Sequence, residues 1–183
     1  MTELIGYQAR EDWMDSEVLT LADIWPEEPR AMIVGLNPAP SSVAAGHYYQ
    51  GRVGQGQLRK SASAGLFRAP SGRFFEDAAL SAGVGFTDIV KRPSRGEGDV
   101  GIDEIRFGSA HLADKLRSRG VSLLVCVFRQ PVKVLLGSEG GPGMQTKLTS
   151  WGARVFRMPG PFDKRENVAR VMAELTAHLE SSE

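Results

Sequence analysis

The chain has 183 residues, 42% hydrophobic and 24% charged, which suits a folded globular protein and excludes global disorder. Lys plus Arg number 22 and Asp plus Glu number 22, so net charge is zero and the overall balance does not advertise a nucleic-acid partner. One cysteine and three scattered histidines exclude an intramolecular disulfide and supply too few ligands for a zinc or iron–sulfur site, and no apolar run approaches the roughly 18 residues of a membrane span.

Residues 1–29 read as an N-terminal extension, with Val18 to Trp25 as a helix ahead of Pro26 and with Trp13 and Trp25 packed on the body of the protein. The first strand is Ala31-Met32-Ile33-Val34, which ends in Gly35-Leu36-Asn37-Pro38. From Ala39 to Pro70 the chain is rich in Gly, Ser and Ala without helical periodicity; residues 52–70 read as an inserted loop holding one short helix over Leu58–Leu66. Phe74, Phe75, Ala78, Ala79, Leu80 and Ala82 form a helical stripe, its two aromatics expected in the core, and Phe86 to Val90 is a short second strand. Ile102 to Arg119 is a helix with Ile102, Ile105, Leu112 and Leu116 inward, closed by Gly120. Val121 to Phe128 is a buried strand, Pro131 to Leu136 a short helix, and Ser138 to Gln145 a glycine-rich turn. Ala153 to Met158 is the last strand, and Arg165 to Leu179 the last helix. Strands and helices in alternation predict an α/β fold, a three-layer α/β/α sandwich around a central four-stranded, mainly parallel sheet, as a single domain over residues 1–183.

In an open α/β sheet, ligands sit beyond the carboxyl ends of the strands, so the turn after the first strand is the expected wall of a site. Pro38 biases Asn37 away from the helical region, and the Asn37 amide can both donate and accept, which suits orienting a water or reading a nucleobase edge. An Asn-Pro pair also closes turns for purely local reasons. Asp88, at the end of the second strand and beside that turn, is a candidate general base or a satisfied capping carboxylate. Between Arg52 and Arg73 every charge is positive (Arg52, Arg59, Lys60, Arg68, Arg73), so one face is expected to be basic.

The run Gly35-Leu36-Asn37-Pro38-Ala39-Pro40-Ser41-Ser42, followed by Gly46 and Tyr49, resembles the first motif of the mismatch-specific uracil/thymine DNA glycosylases, a branch of the uracil-DNA glycosylase superfamily. The similarity continues through Gly72-Arg73-Phe74-Phe75, the stretch Gly85 to Ser94 and the strand at Val121 to Phe128, and covers roughly residues 31–162. It implies a monofunctional DNA glycosylase of base excision repair, acting on uracil or a related deaminated base flipped from DNA, without metal or cofactor. Asn37 would position the attacking water and Tyr49 would stack on the base, in a pocket with Gly35, Leu36, Pro38 and Met158. Ser41, Ser42 and Arg52 would meet phosphate.

The second motif departs from the family. Met158-Pro159 is followed by Gly160-Pro161-Phe162-Asp163-Lys164-Arg165 where relatives carry a serine, and Ala39 replaces a glycine in the first motif. Phe162 or Pro161 would be the wedge in the base stack, with Gly160 in the turn and Lys164 and Arg165 on phosphates; alternatively Phe162 anchors the connection in the core. A non-catalytic nucleic-acid-binding relative and a nucleotide or small-molecule hydrolase are the competing readings. The protein is expected to be monomeric and cytoplasmic, nucleoid-associated if bacterial, with DNA as its partner.

Overall fold

The computed structural model describes residues 3–182. Its centre is β3 (Ala31–Gly35), buried at every position and paired in parallel on both sides, with β4 (Val84–Asp88) and with β5 (Leu123–Cys126). β7 (Arg154–Arg157) continues the parallel sheet beyond β5, and β6 (Gly143–Met144) adds to β7 antiparallel, giving the order β4-β3-β5-β7-β6. The four expected strands thus form the parallel body. The fifth falls inside the stretch read as a glycine-rich turn, because two residues are too few for any alternation to register.

Strand alternation sends Ala31 and Ile33 to one face and Met32 and Val34 to the other. The first face packs with Leu58 of α2 (Arg52–Ser63), Ala79 of α3 (Glu76–Ser81) and Val171, Leu175 and Leu179 of α6 (Arg165–Ser181). The second packs with Leu112 and Leu116 of α4 (Ile102–Ser118) and with Val132 and Leu136 of α5 (Arg129–Leu136). Helices on both faces of a mainly parallel sheet make the expected three-layer α/β/α architecture.

Several local expectations are corrected. The stretch from Val18 is no helix: β1 (Gln8–Trp13) and β2 (Ser16–Leu21) form an antiparallel hairpin, turned at Met14 and Asp15. Val18 and Thr20 favour a strand, and the ladder to β1 supplies the hydrogen bonds a helix would have supplied. The chain leaving the hairpin then caps the outer edge of β4, where Ile24 and Phe86 exchange two backbone hydrogen bonds of 2.9 and 3.0 Å. The region after β3 is helical rather than irregular: α1 (Pro40–Ala45) follows the turn at once, and α2 occupies most of the supposed inserted loop. Ile102 is exposed at the start of α4 and Phe74 is exposed beside a fully buried Phe75. Among the described residues no helix is long and apolar enough to cross a membrane.

Candidate active site

β3 ends at Gly35, and its parallel register with β4 places Asp88 directly beside it. A β-carbon at residue 35 would fall 2.2 Å from Asp88 Oδ1 and 2.8 Å from the Tyr49 hydroxyl, so only glycine lets both groups approach the strand end. Above this point opens a cavity of about 400 Å³, walled by Leu36, Asn37, Pro38 and Ala39, by Tyr49 with the start of α2, and by the loop from Ser94 to Glu97. It lies at the carboxyl end of the central strand, as an α/β site should.

Asn37 is partly exposed, and its amide nitrogen donates to the Arg92 carbonyl (3.1 Å) and to Ser94 Oγ (2.7 Å). A carbonyl can only accept, so the nitrogen must face the Arg92–Ser94 loop and Oδ1 must face away from it. That loop is itself braced. Arg92 makes a two-pronged contact with Glu104 (2.7 and 2.8 Å), and Glu104 also accepts from the Gly101 N–H and the Trp13 indole. The Arg92 hydrogen bond, supported by those N–H donors and opposed by partial burial, lowers the Glu104 pKa to about 2.

Tyr49 has φ +53°, a left-handed conformation costly for a residue with a β-carbon. It is held there by Gln55, whose Nε2 donates to the Tyr49 carbonyl (2.8 Å) and the Arg73 carbonyl (2.9 Å). Gln50 bonds the Tyr48 and Arg73 carbonyls in parallel fashion, and Arg73 returns a bond to the Gln50 carbonyl. Gly54 completes the clamp, since a β-carbon there would sit 2.8 Å from Tyr49 Cβ. The Tyr49 hydroxyl is buried and has no hydrogen-bond partner among the described residues.

Asp88 is 5% exposed. Burial pushes its carboxyl up, Lys91 pulls it down and Asp23 pushes it up again, leaving it at about 7.

Of the residues singled out from sequence, Leu36, Asn37, Pro38, Ser42, Tyr49, Arg52 and Asp88 line this one cavity, and Gly35 lies beneath it. Ser42 is buried and accepts a hydrogen bond from the Gln50 N–H at 3.0 Å, so its hydroxyl stabilises the loop, while Ser41 is exposed. Met158 does not reach the pocket: it is 2% exposed in the core, with the Ser61 hydroxyl against its sulfur. Its partner in strand period, Phe156, faces the same core, a signal already present in the sequence. Gly160 is half-buried, and Pro161, Phe162, Lys164 and Arg165 are exposed, on a loop tied to α2 by a 2.9 Å bond from Gln57 to the Pro159 carbonyl. Phe162 is 91% exposed, so it anchors nothing in the core.

Sequence reasoning missed Ser94, Arg95, Glu97 and Phe128 on the cavity wall, and the Gln50–Gln55–Arg73 clamp. Ser94 stood within the Lys91-Arg92-Pro93-Ser94 run, where the fixed φ of Pro93, ending the strand, was the available sign; the clamp joins residues about 20 positions apart and leaves no local pattern.

The family model of the uracil DNA glycosylase superfamily matches residues 22–171, which contain nearly every wall of the cavity. No curated protein matches the chain.

Proposed function

Because the chain belongs to the uracil DNA glycosylase superfamily, we propose that it hydrolyses the N-glycosidic bond of uracil, or of a related deaminated or mismatched base, in DNA. The observation that carries this reading is Asn37, whose amide nitrogen is committed to the Arg92–Ser94 loop so that Oδ1 is the group left to meet a guest.

A base in duplex DNA must leave the stack before it can be attacked. The extruded base enters the cavity between Tyr49 and the Leu36–Ala39 turn. Asn37 Oδ1 accepts a hydrogen bond from a water and holds it against the sugar C1′. The water oxygen bonds to C1′ as the bond from C1′ to the base nitrogen breaks, and the base departs with the bonding electrons. Backbone N–H groups of the Gly35–Ala39 turn offset the charge that grows on it. The proton lost by the water is matched by one gained by the base, so the products are free base and an abasic site. Arg52 at the start of α2, with Lys164 and Arg165 at the start of α6, supplies positive charge for the phosphates.

The test is incubation of the purified protein with labelled duplexes carrying U·G, T·G, hypoxanthine·T or U·A, followed by alkali and a denaturing gel. A cleaved strand from one or more duplexes is expected, and the pattern names the base. Binding to the same duplexes with no cleavage of any would leave a non-catalytic DNA-binding relative; binding of free nucleotides alone would leave a nucleotide hydrolase.

A further inference from the structure

α2 stands between the cavity and the loop that presents Phe162, and it meets each through a buried glutamine. Toward the cavity, Gln55 Nε2 donates to the Tyr49 and Arg73 carbonyls, and Gly54 lies against Tyr49. Toward the loop, Gln57 Nε2 donates to the Pro159 carbonyl at 2.9 Å. Residues two apart on a helix lie about 200° apart around its axis, so the two amides leave α2 on opposite sides. The helix is held crosswise between the cavity wall and the loop.

The position of Gln57 suits an apolar side chain. It is 1% exposed, and an amide buried there is costly unless both of its ends are satisfied. Its Oε1 accepts from Lys60 Nζ at 3.1 Å. An ammonium can only donate, so Oε1 is turned to Lys60 and Nε2 to the Pro159 carbonyl. One turn further along α2, the Ser61 hydroxyl donates to the Gln57 carbonyl and lies 3.7 Å from the Met158 sulfur, so the Met158–Pro159 step is seated on one face of the helix.

Among the described residues, no other hydrogen bond reaches residues 159–163 from outside that segment. Within it, the Gly160 N–H donates to Asp163 Oδ2 (2.8 Å) and the Asp163 N–H to the Gly160 carbonyl (3.2 Å). Those two bonds fix the shape of the loop but not its direction. The direction is set at Pro159, whose ring locks φ; ψ is the torsion left to turn, and holding the carbonyl holds ψ. Pro161 locks one more φ just before Phe162. The exposed Phe162 ring has no packing of its own to steer it, so the bond from Gln57 aims it.

We propose that Gln57 is a positioning residue for base extrusion: through it, the helix that walls the cavity also aims the Phe162 loop at the stack. This rests on the glycosylase reading above. The base leaving the stack and the ring replacing it are then registered by one rigid element, and Gln57 touches neither of them.

The test is single-turnover base release from the preferred duplex and from the same sequence as a single strand, by the wild type, Gln57→Met, Phe162→Ala and the double variant. Methionine keeps the length of glutamine and drops the donor. A single strand has no stack to open, so its release rate reports the competent fraction of each preparation, and any loss of folded protein cancels in the ratio of the two rates. Gln57→Met is expected to lower the duplex-to-single-strand ratio about fivefold, the worth of one hydrogen bond. In the Phe162→Ala background it is expected to lower the ratio by less than about twofold further, because the ring it aims is gone. Where the single strand is not a substrate, the four duplex rates decide by the same criterion. Equal slowing on both substrates by Gln57→Met, no slowing on either, or effects that multiply in full in the double variant would each overturn the positioning role in an enzyme that releases base. No release by the wild type from any substrate would instead overturn the glycosylase reading and take the positioning role with it.

Discussion

The amide nitrogen of Asn37 lies 2.7 Å from Ser94 Oγ, and the Ser94 hydroxyl in turn donates to the Gly96 carbonyl at 3.1 Å. With its proton spent on Gly96, Ser94 can only accept from Asn37, so the two bonds fix both the position of the amide and which of its ends faces the cavity. Asn37→Ala is expected to keep the far-UV circular dichroism and melting temperature of the wild type while slowing base release by about 100-fold or more. Ser94→Ala leaves Asn37 in place but frees its rotation, and a hydrogen bond of about 1 kcal/mol predicts roughly a fivefold slower release with little change in duplex binding. Equal rates for wild type and Asn37→Ala would remove Asn37 from the chemistry.

Gly35 tests whether close approach at the strand end matters. Gly35→Ala drives a methyl group into Asp88 Oδ1 and the Tyr49 hydroxyl, neither of which can retreat far from a buried position. Overpacking of this kind costs about 1–3 kcal/mol, or several degrees of melting temperature. The folded fraction is expected to release base far more slowly, because the added carbon displaces the two groups nearest the cavity floor. A melting temperature and rate equal to the wild type's would mean that the strand end has slack.

The Arg92–Glu104 contact ties α4 to the loop that holds Asn37. The Glu104 pKa is depressed in the folded state to about 2, from 4.5, so the stability it contributes is fully present above 4.5 and is lost as pH falls through 2. Glu104→Gln is expected to lower stability by about 1–2 kcal/mol at pH 7, in chemical denaturation, after allowance for the half-exposed guanidinium. The gap between variant and wild type should narrow progressively below pH 4.5. A constant gap from pH 7 to 2.5 would assign the cost to shape rather than to charge.

The sheet was legible because its strands are short apolar runs punctuated by glycine and proline, and parallel strands bring their carboxyl ends together wherever they lie in the chain. That is why Asn37 and Asp88 could be placed at the same end of the sheet, while the choice of Asn37 over a plain turn residue rested on the family resemblance of residues 35–49. The second half of α2 falls within the short helix expected over Leu58–Leu66, but its first half was not legible, since the inward residues there include Gln55 and Gln57, which are buried by bonding backbone carbonyls rather than by being apolar. The hairpin was hidden in a similar way: Glu11, Asp12 and Glu17 interrupt the alternation that marks a strand, and its pairing is supplied by β1 and not by anything within β2. Phe162 was ambiguous for a different reason, because an apolar residue in a Pro-Gly-Pro connection carries no period to say which way it points.

Its exposure makes Phe162 a clean probe of how the base leaves the stack. The loop presenting it is braced from both ends, by Gln57 on the Pro159 carbonyl and by Asp163, whose carboxylate accepts from the Gly160 N–H at 2.8 Å. A wedge needs an apolar ring held out toward DNA and free of other work, and Phe162 buries almost nothing in the folded protein. Phe162→Ala should therefore leave stability within about 0.5 kcal/mol. Release from a duplex is expected to slow by about tenfold or more, while release from the same sequence as a single strand is unchanged, since there is no stack to open. Equal slowing on both substrates would make Phe162 a contact to the nucleotide itself, and no slowing on either would return the wedge role to Pro161 or to another part of the rim.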